Sequence, residues 1–264
     1  MKIVIPTYMR EDSQVSFKSF PAEQLNNIYL CTDTTRVEYL QHLNPMAQVI
    51  DLGITDGIAD TRQKLVDMFM GEKIFIVDDQ VKFYQRTPAG RIVNINKESM
   101  REMLSVVSDA LDTYAWVGIS DRAGNNRVLE NSAEIQRSYS CYGINTKMFD
   151  DNDISFDGLY KKTGAKNFED FYALLSMFTK GMKNLVLYNY AFFHQHGKEG
   201  GNSEFRNNKT HQWCYQKLRD EFPDFVKLKY KMNPNWTTED GDNKRLESII
   251  SWKKAYESRQ KNTL

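Results

Sequence analysis

Short apolar runs alternate with a helical pattern through the first third of the chain: KIVIPTY, NNIYLCTD, AQVIDLG, then GIADTRQKLVDMFM, then KIFIVDD. Runs of this length bounded by polar residues read as strands, whereas apolar positions recurring every three to four residues read as a helix. Their alternation predicts βαβ units, and so an α/β fold on a mostly parallel sheet flanked by helices. Open sheets of this kind bind ligands where the carboxyl ends of the strands meet diverging loops. Here those ends carry Thr7-Tyr8, Thr32-Asp33-Thr34 and Asp78-Asp79-Gln80.

Further along, NKESMREMLSVVSDALDTY predicts a helix with Met103, Val106, Val107, Ala110 and Leu111 on its core face and Asn96 or Ser99 as its cap. AWVGIS and SYSCYGINTKMF read as strands. The polar stretch 121–136 reads as a loop that closes over a substrate. NFEDFYALLSMFTKGM predicts a helix ending near Gly181, and NLVLYNYAFFHQH a long strand that delivers two histidines. From residue 211 onward the chain reads as helical, broken by Pro223 and Pro234. The expected division is a nucleotide-binding and catalytic region over 1–205 and a helical extension over 206–264 packed on it.

A hydrophobic content of 41% over 264 residues is enough to fill a core and excludes disorder as an overall state. The 35 basic and 35 acidic residues cancel, so the whole molecule has no field to gather polyanions from a distance. The balance is uneven: residues 197–264 hold 14 Lys/Arg against 10 Asp/Glu. Cys31, Cys141 and Cys214 are far apart and lack metal-ligand spacing, so free thiols and a cytoplasmic setting are expected, without disulfide or structural zinc. No apolar run reaches the length of a membrane helix, which argues against a membrane partner.

Four groups of residues carry candidate chemistry. Asp78 and Asp79 end a buried strand, where adjacent carboxylates need a cation, hydrogen-bond donors or water to remain ionised; a strand-end pair suits Mg²⁺ or Mn²⁺ shared with substrate phosphates. Arg62 and Lys64 lie in a helix opened by Gly57, whose N-terminus favours phosphate, although a solvated surface helix explains them too. Glu169 and Asp170 begin a helix, where acids are welcome for the macrodipole alone and where one could also act as general base. His194 and His196, two apart on a strand, share a face and could meet one ligand, ahead of the glycines at 197, 200 and 201. Motifs for serine hydrolases, phosphate-loop kinases and dinucleotide-binding dehydrogenases are absent.

Taken in order, IVIPTYMR, GIADTRQK, FIVDDQ, NFEDFYALLSMFTKG and HQHGKEGG resemble a nucleotide-sugar glycosyltransferase of the GT-A, Rossmann-like fold over about residues 1–200. The pattern is most similar to the inverting family-2 type and to phage TET-associated glycosyltransferases that decorate oxidised bases in DNA. The resemblance implies that Pro6, Thr7, Tyr8 and Arg10 cradle the nucleoside, that Asp33 hydrogen-bonds the base, and that Arg62 contacts the nucleotide. It likens Asp78-Asp79-Gln80 to the D-x-D motif, with Asp78 on ribose or metal and Asp79 as the main metal ligand. It likens Asp170, beside Glu169, to the catalytic base, and His194 or His196 to the late metal-site histidine.

The expected activity is therefore a metal-dependent transfer, inverting, from a UDP-type sugar donor, with Mn²⁺ or Mg²⁺ as cofactor. The expected acceptor is a hydroxymethylated pyrimidine, 5-hydroxymethylcytosine or 5-hydroxymethyluracil, in phage DNA. Trp213, Tyr215, Tyr230, Trp236 and Trp252 would stack bases beside the lysines of the tail. A bacterial glycan or lipid-linked acceptor, and an inactive nucleotide- or DNA-binding module, share the same residues.

Overall fold

The computed structural model describes residues 1–125, 127–194, 208–232 and 244–261. Four parallel strands build one half of the central sheet: β1 (Lys2–Pro6), β2 (Ile28–Thr32), β3 (Gln48–Asp51) and β4 (Lys73–Val77), in the spatial order β3-β2-β1-β4. The other half comprises β5 (Val81–Arg86), β6 (Ile92–Asn94), β7 (Trp116–Asp121), β8 (Ser132–Glu134), β9 (Cys141–Asn145) and β10 (Leu185–His194). The order continues β9-β7-β10-β5-β6, with β8 added against β10.

β9 runs antiparallel between β4 and β7, and β5 and β6 are antiparallel at the far edge, so the sheet is mixed rather than simply parallel. This reversal matters for the site. Because Val77 pairs with Cys141, β9 begins at the edge where β4 ends, and the Asp78 amide donates to the Ser140 carbonyl at 2.9 Å.

Layers of side chains cover both faces. On one face Trp116 stacks on Tyr142 with centroids 4.2 Å apart, and Phe149 and Phe156 close around them. On the other, Ile3, Ile5, Phe75 and Val77 meet the helix Lys97–Ala110 through Met100, Met103, Leu104 and Val107. Burial on both faces is why β4 reads as an unbroken apolar run. In that helix Asn96 is the cap, its side-chain oxygen accepting from the Ser99 amide at 2.8 Å. Val106, expected in the core, is 37% exposed, and Met100 and Leu104 take its place.

The stretch 121–136 is more built than a simple loop. It holds a helical turn at Arg122–Asn125 and β8, and Asn125 donates to the Tyr188 carbonyl at 2.8 Å, tying the segment to β10. The expectation of a largely helical tail is corrected in part. A helix Asn208–Glu221 is followed by an antiparallel ribbon of β11 (Val226–Met232) and β12 (Lys244–Ile250), then a helix Trp252–Lys261.

The C-terminal elements share a core with the sheet. Cys214, Leu218, Val226 and Ala255 belong to the cluster that includes Trp116, Tyr142 and the helix Glu169–Thr179. Tyr215 stacks on Phe168 at 3.9 Å, and Trp252 meets Phe171 edge-on at 5.6 Å. Of the aromatics expected to stack bases, Tyr215 and Trp252 are therefore packing residues, Trp213 and Tyr230 are exposed, and Trp236 lies outside the described residues. All three cysteines are buried and free. Among the described residues no helix is long and apolar enough to cross a membrane.

Candidate active site

Strand polarity gathers the candidate residues on one edge of the sheet. β1 hands over to Thr7, β2 to Asp33 and β4 to Asp78 and Asp79; β10 ends at His194, and the reversed β9 brings Ser140 beside them. Among the described residues, three of the five non-glycine residues with positive φ border this cluster: Met9 (57°) between Tyr8 and Arg10, Ser140 (57°), and Phe168 (67°) just before Glu169. Left-handed backbone at such residues costs of order 1–3 kcal/mol each and persists where surrounding structure holds it, commonly at working sites.

Asp79 sits in a closed pocket, 4% exposed. The Thr7 hydroxyl donates to its Oδ2 at 3.0 Å and Arg10 Nη1 to its Oδ1 at 3.1 Å. Gln14 Nε2 in turn donates to Thr7 Oγ1 and to the Arg10 carbonyl, both at 2.8 Å, fixing the loop that supplies the two donors. Burial pushes the Asp79 carboxyl up to about 6 against the opposing pull of Arg10.

Asp78 faces the other way. Its Oδ1 accepts from Arg62 Nη2 at 2.9 Å, and its Oδ2 lies 3.7 Å from His194 Nδ1, which is also 3.4 Å from Ser140 Oγ. Burial works against its ionisation, but Arg62, His194 and the Ser140 hydroxyl together hold its pKa below the usual carboxylate range.

Arg62 is not the solvated surface residue that the helix alone allowed: at 4% exposure it lies 5.5 Å over the Tyr142 ring and bridges Asp78 to Glu169. Glu169 is correspondingly buried and committed to Arg62, so of the two acids proposed for catalysis only Asp170 is left partly accessible. Burial raises the Asp170 pKa, opposed by Arg62 and by Arg137.

Asp33 ties two loops together. Its Oδ1 accepts from the Thr35 amide at 2.9 Å and hydroxyl at 2.8 Å, and its Oδ2 from the Thr55 amide at 2.7 Å. His196 lies outside the described residues. The site also includes Gln14, Ser140 and Tyr142, whose buried hydroxyl has no hydrogen-bond partner among the described residues. Nothing in their local sequence marks them, because their places come from the reversal of β9 and the fold of the first loop.

Comparison with known proteins narrows the chemistry. Proteins of Enterobacteria phages T2 and T6, both named beta-glucosyl-HMC-alpha-glucosyl-transferase, are each 25% identical to the chain, covering 87% of it and 84% of their own length. Glucosyl-3-phosphoglycerate synthase from Mycobacterium tuberculosis, solved with Mn²⁺, UDP-glucose and phosphoglyceric acid, has a TM-score of 0.53 at 12% identity, covering 86% of this chain and 83% of that one. A mannosyltransferase from Pyrobaculum calidifontis, solved with GDP-Man and Mn²⁺, has a TM-score of 0.51 at 10% identity, over 84% of this chain and 64% of that one. The chain is a glycosyltransferase of the GT-A type. No family model matches it.

The donor set of this glycosyltransferase fits a hard divalent cation. Among the described residues no group of three His, Cys, Asp or Glu side chains forms a ready-made cage. Asp78 and His194, however, stand side by side at a separation too long for a hydrogen bond, with Asp79 next in the chain. Mg²⁺ and Mn²⁺ sites of nucleotide enzymes commonly use one or two protein carboxylates and take their remaining ligands from phosphate and water.

Proposed function

We propose that this enzyme transfers a glucosyl group from UDP-glucose to a hydroxyl carried by modified cytosine in DNA, the acceptor being a hydroxymethylcytosine that already bears one glucose. The observation that carries the catalytic part is the pairing of Asp78 with His194 at the carboxyl edge of the sheet, backed by Arg62. The acceptor rests on the likeness to the two phage proteins across most of both chains.

In this reading Asp78 and His194, with Asp79 adjacent, would hold Mn²⁺ or Mg²⁺, and the bound cation would supply charge stabilisation for a diphosphate leaving group. Arg62 keeps the Asp78 carboxylate ionised and aimed, since a buried acid without that partner would take up a proton. The Pro6–Arg10 loop cradles the nucleoside, braced from below by Gln14, and Asp33 fixes the neighbouring loop. Asp170 orients the acceptor hydroxyl.

The stereochemistry we propose departs from the inversion expected from the sequence. UDP-glucose is α-linked, and the phage relatives are named for transfer of an alpha-glucosyl group, so an α-linked product requires retention. The bond from the anomeric carbon to the phosphate oxygen breaks, the bond to the acceptor oxygen forms on the same face, and the acceptor proton passes to the departing diphosphate. Asp170 then positions the acceptor rather than serving as an in-line base.

UDP release from UDP-glucose with Mn²⁺ tests the proposal, using unmodified, hydroxymethylated and β-glucosylated hydroxymethylcytosine duplexes. Strong stimulation by the glucosylated duplex is expected. Release indifferent to all three duplexes would move the acceptor to a glycan, and no release under any condition would leave only a binding module.

A further inference from the structure

The two described strands of the β11–β12 ribbon are rich in basic side chains on a molecule of zero net charge. Their 14 residues hold five basic side chains and a single acid, Glu247. Lys227, Lys229 and Lys231 alternate along β11 and so project from the same side, about 6.8 Å apart, given a rise of about 3.4 Å per residue. All three are exposed, although Lys231 also pairs with Glu247 at 2.7 Å. The alternate residues Val226 and Leu228 turn the other way, into the core.

The root of the ribbon is wired to the catalytic helix. Arg245 Nη2 lies 3.2 Å from His211 Nε2, and His211 meets the Phe168 ring edge-on at 5.0 Å. Phe168, in left-handed conformation, is the residue immediately before Glu169-Asp170. The ribbon therefore rises beside the residue assigned to the acceptor.

We infer that the β11–β12 ribbon is the duplex-DNA docking element and that it enters the major groove, with Lys227, Lys229 and Lys231 on backbone phosphates. This rests on the DNA-acceptor reading. A two-stranded β-ribbon is one of the two shapes the major groove of B-DNA admits, and lysines spaced along one strand suit a row of phosphates. The substituent at C5 of a pyrimidine projects into that same groove. A hydroxymethyl group, or a sugar attached to it, is thus presented to the ribbon side of the enzyme with its base still stacked, without the unstacking energy of base flipping.

The test compares the parent with the triple variant Lys227→Glu, Lys229→Glu, Lys231→Glu and with the corresponding triple Gln variant, all as full chains of matched thermal stability. Anisotropy of a labelled β-glucosylated duplex is followed over a salt series, alongside dimethyl sulfate protection of guanine N7. Both variants are expected to bind at least about tenfold more weakly, to lower the salt slope by about 2–3, and to lose N7 protection shown by the parent. UDP release in the absence of DNA should be unchanged. Variants that keep the parent's slope and protection would overturn the inference while leaving the DNA reading standing. A parent that binds without protecting N7 would overturn the major-groove placement. A parent that neither binds nor is stimulated by the duplex would defeat the DNA reading itself.

Discussion

At the scale of single residues, Arg62 joins stability to chemistry. Its guanidinium links Asp78 and Glu169, and each of the three side chains is largely removed from solvent. Removing one member of a buried ionic group leaves uncompensated charge, at a cost of about 3–5 kcal/mol. Arg62→Met is therefore expected to lower urea-unfolding stability by about that amount, and kcat/KM with it; a loss under about 1 kcal/mol would show that the bridge is not buried as described. Sequence alone exposed the acids but hid this link, because Arg62 and Glu169 are 107 residues apart.

Asp79 gives the pH dependence. Folding raises its pKa from 3.8 to about 6, so the folded state binds the proton more tightly than the unfolded chain. The resulting stabilisation is fully present below about pH 4 and is lost as pH rises through about 6. In metal-free protein, urea midpoints should therefore fall more steeply across this window for the parent than for Asp79→Asn. Parallel pH profiles would contradict it.

At the scale of elements, the helix Ile58–Met68 is launched by Gly57 at φ 88° and ψ −177°, a conformation open almost only to glycine. A Cβ there would also lie 3.2 Å from Lys166 Cβ. Gly57→Ala is expected to cost about 1–3 kcal/mol in chemical denaturation, and an unchanged midpoint would refute the assignment. The strands of the first third were legible because their apolar runs are compact and their ends polar. The ribbon was equally legible in principle: VKLKYKM alternates with period two, but its lysines and the prolines around it masked a strand as broken helix. The direction of β9 was not legible, because a buried strand shows the same apolar run whichever way it pairs.

At the scale of the whole molecule, the boundary expected near residue 205 does not coincide with a break in the core. Phe168, Phe171 and Phe178 pack against Tyr215 and Trp252 from beyond it. A fragment ending at 205 should be aggregation-prone and lack a cooperative melt, whereas the full chain should unfold in one transition by calorimetry. A stable, cooperatively folding fragment would show the extension to be dispensable for folding. The overall charge of zero concealed the basic ribbon for a related reason: composition averages over surfaces that a fold keeps apart.

The most direct measurement is mass spectrometry of nucleosides digested from β-glucosylated hydroxymethylcytosine DNA after incubation with the enzyme, UDP-glucose and Mn²⁺. Gain of one hexose on the glucosylated nucleoside is predicted, dependent on both donor and cation. An unchanged nucleoside profile while UDP is still released would contradict the account.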